Sequence, residues 1–371
     1  MARAPAVQDV EQYPEADRLE GFPHPRETQN LFGHENVEQQ LARAFAGERM
    51  HHGLLLAGPK GIGKATLAYR LARHALARPS ERQSGTLQVA AESAAARQVI
   101  AQSHPGLLVL RRTYDPKSKR FAAFIPVDEV RRLRTFLGHT AEENAWRVVI
   151  VDSADELNLA AANALLKSLE EPPPRALFIL ICAEPSRLLA TIRSRCLRIA
   201  LEPLADAPLR KATVQALSAA GMEAPEDAAW SRLSPVSQGS VRRALQLVAS
   251  GGVEIWEKTE AMFASLPSLD WQAAHALTDS MSSPAQDQRF ETFYSLFLDR
   301  LAHLIRVRAS GQGERNDVVL ARRLIAEGEL PAWAAAWQAI VEERADALEL
   351  NLDRKALILR ALGRLETLAR A

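Results

Sequence analysis

Residues 53–66, Gly-Leu-Leu-Leu-Ala-Gly-Pro-Lys-Gly-Ile-Gly-Lys-Ala-Thr, carry glycines and a lysine at the spacing of a phosphate-binding loop. Gly58, Gly61 and Gly63 accept the backbone angles that curl N–H groups around phosphate oxygens, with Pro59, Lys60 and Ile62 between them. Lys64 would neutralise the outer phosphates, and a helix starting there adds a favourable dipole. The next position needs a Ser or Thr hydroxyl for Mg²⁺, and this chain has Ala65. Thr66 lies one residue further, roughly 100° around a helix, and is a poor substitute. The second half of such a site is an acid at the carboxyl end of a buried strand, which Val148-Val149-Ile150-Val151-Asp152 supplies. A working hydrolase follows that acid with a glutamate to polarise water, whereas Ser153 stands here. Asp155 and Glu156 come later, and nothing in the spacing brings either to a γ-phosphate. The glycines and Lys64 leave nucleotide binding open; the missing hydroxyl and glutamate argue against turnover.

These residues need strands and helices to hold them. Leu54–Ala57, Leu107–Leu110, Val148–Val151 and Leu177–Ile181 are short uninterrupted apolar runs, as expected of parallel strands covered on both faces. Cys196–Leu201 reads as another strand. Helical patterns fall between them at Asn36–Phe45, from Ala68 to Leu76, and at Val127–Leu137. Asn158 can cap a helix through Ala162, Leu165, Leu166 and Leu169, which Pro172-Pro173-Pro174 ends. The alternation predicts a doubly wound α/β domain. Residues 1–30 are polar and proline-rich and read as an extended lead-in. After Pro203 the character turns helical. Residues 204–250 form a small unit ending in a helix over Val241–Val248, and further helices cover Trp271–Met281, Phe290–Val307, Val318–Ala326, Ala332–Glu343 and Asn351–Leu368.

Length and composition bound the function. The 371 residues suffice for two or three domains, and a 47% hydrophobic content supplies their cores. Lys and Arg total 46 against 45 Asp and Glu, which excludes a globally basic nucleic-acid coat but permits a local patch, such as Arg131, Arg132 and Arg134. Two cysteines, Cys182 and Cys196, form neither a metal-spaced cluster nor a disulfide framework. No signal-peptide core occurs in Met1–Pro14 and no run has membrane-span length, so the expectation is a soluble cytoplasmic protein without membrane contact.

Six stretches resemble one family. Asp152-Ser-Ala-Asp-Glu-Leu-Asn158, the run from Ala161 to Pro173 and Ala190-Thr-Ile-Arg-Ser-Arg-Cys196 are similar to bacterial clamp-loader AAA+ subunits, as are Gly33-His34, His51-His52-Gly53-Leu54 and Asn351-Leu-Asp-Arg-Lys355. The resemblance is specific over residues 26–250 and weaker beyond. It implies an α/β P-loop AAA+ domain with a parallel sheet (1–203), a small helical lid (204–252) and an all-α C-terminal oligomerisation collar (253–371). It also implies a non-hydrolysing subunit of a hetero-oligomer, whose motor (tau/gamma) and delta subunits are its partners. That complex places a sliding clamp on primed DNA, contacted through its backbone. Arg195 would reach in trans to ATP held by a neighbour, and Arg242 would be the lid arginine that meets nucleotide in cis, unless adjacent Arg243 faces inward. The usual polar residue after the fourth strand falls at Cys182 or Ala183. Many relatives carry a four-cysteine zinc module; Ala77–Pro105 has no cysteine, and the expectation is no zinc. The rival reading is a motor that hydrolyses ATP itself with Thr66 and Asp155, Mg²⁺ and ATP then being its cofactors.

Overall fold

A computed structural model of the chain describes residues 13–138, 145–281, 283, 286–350 and 353–370, with side chains described as far as 344 in the helix that ends at 350. The chain divides into two compact units, Met1–Arg243 and Ala244–Ala371.

In the first unit, β1 (Gly53–Ala57), β2 (Leu107–Leu110), β5 (Arg147–Asp152), β6 (Ala176–Cys182) and β7 (Leu197–Ala200) make one parallel sheet in the order β2-β5-β6-β1-β7. Successive side chains of a strand point to opposite faces, so each apolar run feeds two cores. Leu54, Leu56, Val148, Ile150, Leu177 and Ile179 pack with α1 (Glu35–Ala46) and α2 (Lys64–Leu76). Leu55, Val149, Val151, Phe178 and Leu180 pack with α4 (Val127–Gly138), α5 (Leu159–Glu170) and α6 (Ala190–Arg193). The expected strands are all present; the runs of β1, β5 and β6 are buried on both sides, whereas in the edge strand β2 Leu107 and Val109 are only half-buried.

Caps and breaks set the helix limits. The Asn158 side chain accepts from the Ala161 N–H, and α5 stops at Glu170 before the prolines. Between β1 and β2 lies α3 (Ala94–Ile100), whose Ser93 side chain accepts from the Ala96 N–H. A two-stranded hairpin, β3 (Tyr114–Asp115) with β4 (Arg120–Phe121), was not legible because two-residue strands show no alternation. The helices α7 (Asp206–Ala219) and α8 (Asp227–Ser237) follow, and α9 (Val241–Ser250) starts after Gly239.

One expectation needs correction. Residues 13–28 are not an extended lead-in but a turn-rich strap held by ion pairs. Phe22 and His24 are buried, and Glu15 joins Arg26 at 2.7 Å and Arg111 at 2.6 Å. Residues 1–12 of that lead-in, most of the stretch screened for a signal peptide, and residues 351–352 of the Asn351–Lys355 motif lie outside the described residues.

The second unit is helical throughout its described length: α10 (Gly252–Ser265), α11 (Trp271–Asp279), α12 (Asp287–Ser310), α13 (Arg315–Leu324), α14 (Leu330–Leu350) and α15 (Arg354–Arg370). The helix α10 is not among those expected from the sequence. Phe263 and Phe293 both pack on Phe297, with ring centroids 5.3 and 5.5 Å away. Buried Arg300 bridges Glu260 at 2.7 Å and Asp317 at 2.8 Å. Among the described residues no helix is long and apolar enough to cross a membrane.

Candidate functional site

The phosphate-type loop leaves the carboxyl end of β1 and enters α2. Its glycines are needed where they stand. Gly61 and Gly63 have φ of +77° and +106°, and a Cβ at Gly58 would run into the Leu201 carbonyl oxygen. Buried His34 sets its Nε2 2.7 Å from the Ile62 carbonyl oxygen, fixing the loop from α1. The Lys64 ammonium does not point outward. It donates to the carbonyls of Gly58 at 2.6 Å and Pro59 at 2.5 Å, and burial lowers its pKa to about 8 against the pull of Asp152 and Asp155. Pro59 and Lys60 form the exposed tip of the loop, while Ile62 is fully buried. Ala65 and Thr66 occupy the first turn of α2, both half-buried.

Asp152 closes β5 on the same sheet edge, two strands from β1 in the sheet order. It is buried, and that burial together with the charge of Asp17 pushes its pKa up to about 7. Its oxygen accepts from the Ser153 hydroxyl at 3.2 Å. Asp155 is buried as well, and its two oxygens accept from the N–H groups of Ala183 (3.2 Å) and Glu184 (3.3 Å), so it caps the turn after β6. The carboxylate that a motor reading would recruit is thus engaged by backbone. Cys182 ends β6 with its thiol pushed up to about 12 by burial and then by Asp155.

The structure distinguishes Arg242 from Arg243. Gly61 lies so close to Ser240 and Arg242 that a Cβ there would meet Ser240 Oγ and Arg242 Cβ. Ser240 Oγ donates to the Lys60 carbonyl at 2.9 Å, and the Val241 N–H donates to the Gly61 carbonyl at 2.9 Å. Arg242 therefore starts directly over the loop, and its guanidinium feels the charges of Asp152 and Asp17. Arg242 Nη1 donates to the Asp17 main-chain oxygen at 3.4 Å. Sequence reasoning missed Asp17. Its carboxylate sits between Arg111 Nη1 at 3.0 Å and His24 Nε2 at 2.9 Å, and burial is outweighed by those partners, so its pKa is lowered. His24 Nδ1 accepts from the Arg26 N–H, which leaves Nε2 as the nitrogen that donates to Asp17. No periodic signal could have found this residue, because its partners are 7 and 94 positions away.

Arg195 lies at the other edge of the sheet. It precedes β7, which is parallel to β1 with Leu197 opposite Leu54. A Cβ on Gly53, the first residue of β1, would sit 3.2 Å from the Arg195 carbonyl oxygen. The loop begins at Gly58, five residues along, or about 16 Å at strand spacing. Arg195 Nη2 pairs with Glu170 at 2.7 Å and Nη1 donates to the Thr191 carbonyl at 2.9 Å, in a partly exposed setting. It is remote from its own loop. On α4, Arg131 and Arg132 pair with Asp128 and Glu129 of the same helix, and Arg134 is exposed. Among the described residues no group of three or more His, Cys, Asp or Glu is placed to hold a metal ion.

Sheet order, loop and flanking helices define an α/β protein with a parallel sheet, a phosphate-type loop and an all-helical C-terminal region. The family model described as DNA polymerase III, delta subunit matches residues 33–205. The DNA polymerase III subunit delta' of Pseudomonas aeruginosa is 37% identical over 216 residues, covering 58% of this chain and 61% of that one. Its counterpart in Escherichia coli is 32% identical over 264 residues, covering 71% and 73%. The tau subunit of DNA polymerase III from Escherichia coli is 30% identical over 261 residues, covering 69% of this chain and 38% of that one. The chain belongs to the DNA polymerase III delta' subunit family.

Proposed function

We propose that this chain is the stator subunit of a clamp loader, lending Arg195 to ATP held by a neighbouring motor subunit. The observation that carries this reading is the position of Arg195. A permanently charged, five-donor guanidinium suited to phosphate oxygens stands on the sheet edge opposite its own loop, on the rim of the unit and partly exposed. From there it serves an adjoining subunit and not itself. Charge supplied in trans ties hydrolysis to assembly and is worth ~10³–10⁵ in rate at such sites. Its own pocket does not suit a magnesium nucleotide: Ala65 offers no hydroxyl, Lys64 is turned into the loop, and Asp155 is held by backbone N–H groups. ATP held elsewhere in the complex, its phosphate charge neutralised by magnesium, would supply through its hydrolysis the energy for loading the clamp.

The partners in this reading are tau/gamma motors and a delta subunit, joined through a helical collar at 253–371, with 204–252 as the lid of the 1–203 domain. The complex acts on the sliding clamp and on primed DNA, held by phosphate contacts that weaken with salt. The test is a complex reconstituted from wild-type partners and Arg195→Ala. Assembly should be unchanged and clamp- and DNA-stimulated ATP hydrolysis should fall. Equal turnover with Arg195→Ala would reject the trans role.

A further inference from the structure

The strap formed by residues 13–28 crosses the sheet edge that carries the phosphate-type loop, and three features of it bear on what that pocket accepts. Its main chain at Asp17 holds Arg242, the cation that stands over Gly61. Its Asp17 carboxylate adds a second buried acid to the edge that already carries Asp152. Its anchors are several and close: Glu15 to Arg26 and Arg111, Asp17 to Arg111 and His24, and Arg18 to Glu27 at 2.6 Å. His24 is fully buried and edge-on to Tyr69 of α2, with ring centroids 5.6 Å apart.

We propose that Asp17 sets the specificity of this pocket: with its strap it acts as an internal ligand that takes the lid arginine and excludes nucleoside triphosphates. The chemistry is a simple exchange. A triphosphate entering the loop needs Lys64 and Arg242, and both already donate to main-chain carbonyls of the protein. It would also bring its charge toward two buried carboxylates with no hydroxyl from residue 65 to hold a neutralising Mg²⁺. Repulsive groups placed against one ligand class discriminate as well as attractive ones do. To bind, the nucleotide must displace the strap, and breaking paired, poorly solvated charges is costly. Its apparent affinity is therefore reduced by the small fraction of molecules in which the strap is open. The strap acts on the pocket in cis alone. A complex indifferent to Arg195→Ala would sink the trans reading and leave this one standing.

The experiment is a titration of the full chain with a fluorescent ATP analogue and Mg²⁺. Wild type should show no saturable binding at micromolar nucleotide. Asp17→Asn combined with Glu15→Gln, which removes both anchoring carboxylates, should bind at least ~10-fold more tightly than wild type. Adding Arg242→Ala to that variant should reverse the gain, since the released arginine is what the phosphates meet. If the double variant melts below the assay temperature, Asp17→Asn alone should still raise affinity ~3-fold by removing one repelling charge. Tight binding by wild type, or folded variants that bind no better than wild type, would overturn the proposal.

Discussion

Glu15→Gln is the most informative perturbation of the strap. Burial pushes the Glu15 carboxyl upward, but the Arg26 hydrogen bond and the charges of Arg111 and Arg26 outweigh it and hold the pKa at about 2, against an ordinary 4.5. At roughly 1.4 kcal/mol per pH unit this corresponds to about 3 kcal/mol in favour of the closed strap at neutral pH. The Glu15 side chain is 14% exposed, and solvent screening reduces the figure to about 2 kcal/mol. Because the folded pKa is depressed, this stabilisation is complete above pH 4.5 and fades as the pH falls toward 2. The assay is amide hydrogen exchange at pH 7. The N–H groups of Arg18, Phe22 and Glu27, which bond to the carbonyls of Glu15, Leu19 and His24, report the strap directly. Their protection should drop about 30-fold in Glu15→Gln, while amides of α15 keep theirs. Unchanged strap protection in a folded variant would show that the ion pairs around Glu15 do not hold the segment.

Other substitutions test other links. Asp152 has a pKa raised to about 7 by burial and Asp17, so the folded state binds its proton more tightly and loses stability as the pH rises from about 4 to 7. Asp152→Asn should therefore stabilise the chain in urea about 3 kcal/mol more at pH 8 than at pH 5; equal effects at both would contradict the assignment. Asn158→Ala removes the side-chain acceptor for the Ala161 N–H and should cost about 1 kcal/mol in the same assay. Arg300→Leu leaves Glu260 and Asp317 without their shared cation and should destabilise the C-terminal unit by about 3 kcal/mol, read as an earlier melting transition.

What the sequence disclosed depended on the range of the forces involved. The strands at Leu54, Val148 and Leu177 were legible because burial on two faces demands unbroken apolar runs, and α5 because Asn158 and Pro172 mark its ends. The loop was legible because each glycine answers a local need of the backbone. The strap was not, since Glu15 meets Arg111 across 96 positions and ion pairs leave no periodic trace. Choosing Arg242 over Arg243 required knowing which side of α9 lies against Gly61, a tertiary fact. The placement of Arg195 was implied by family resemblance, but its distance from its own loop follows from the parallel pairing of β1 and β7.

The central claim is that this chain serves a neighbour's nucleotide and leaves its own loop idle. Two complexes, one with Lys64→Ala and one with Arg195→Ala, each otherwise wild type, put this to a single ATPase measurement. The account predicts wild-type turnover with Lys64→Ala and a marked loss with Arg195→Ala. Loss with Lys64→Ala and none with Arg195→Ala would contradict it.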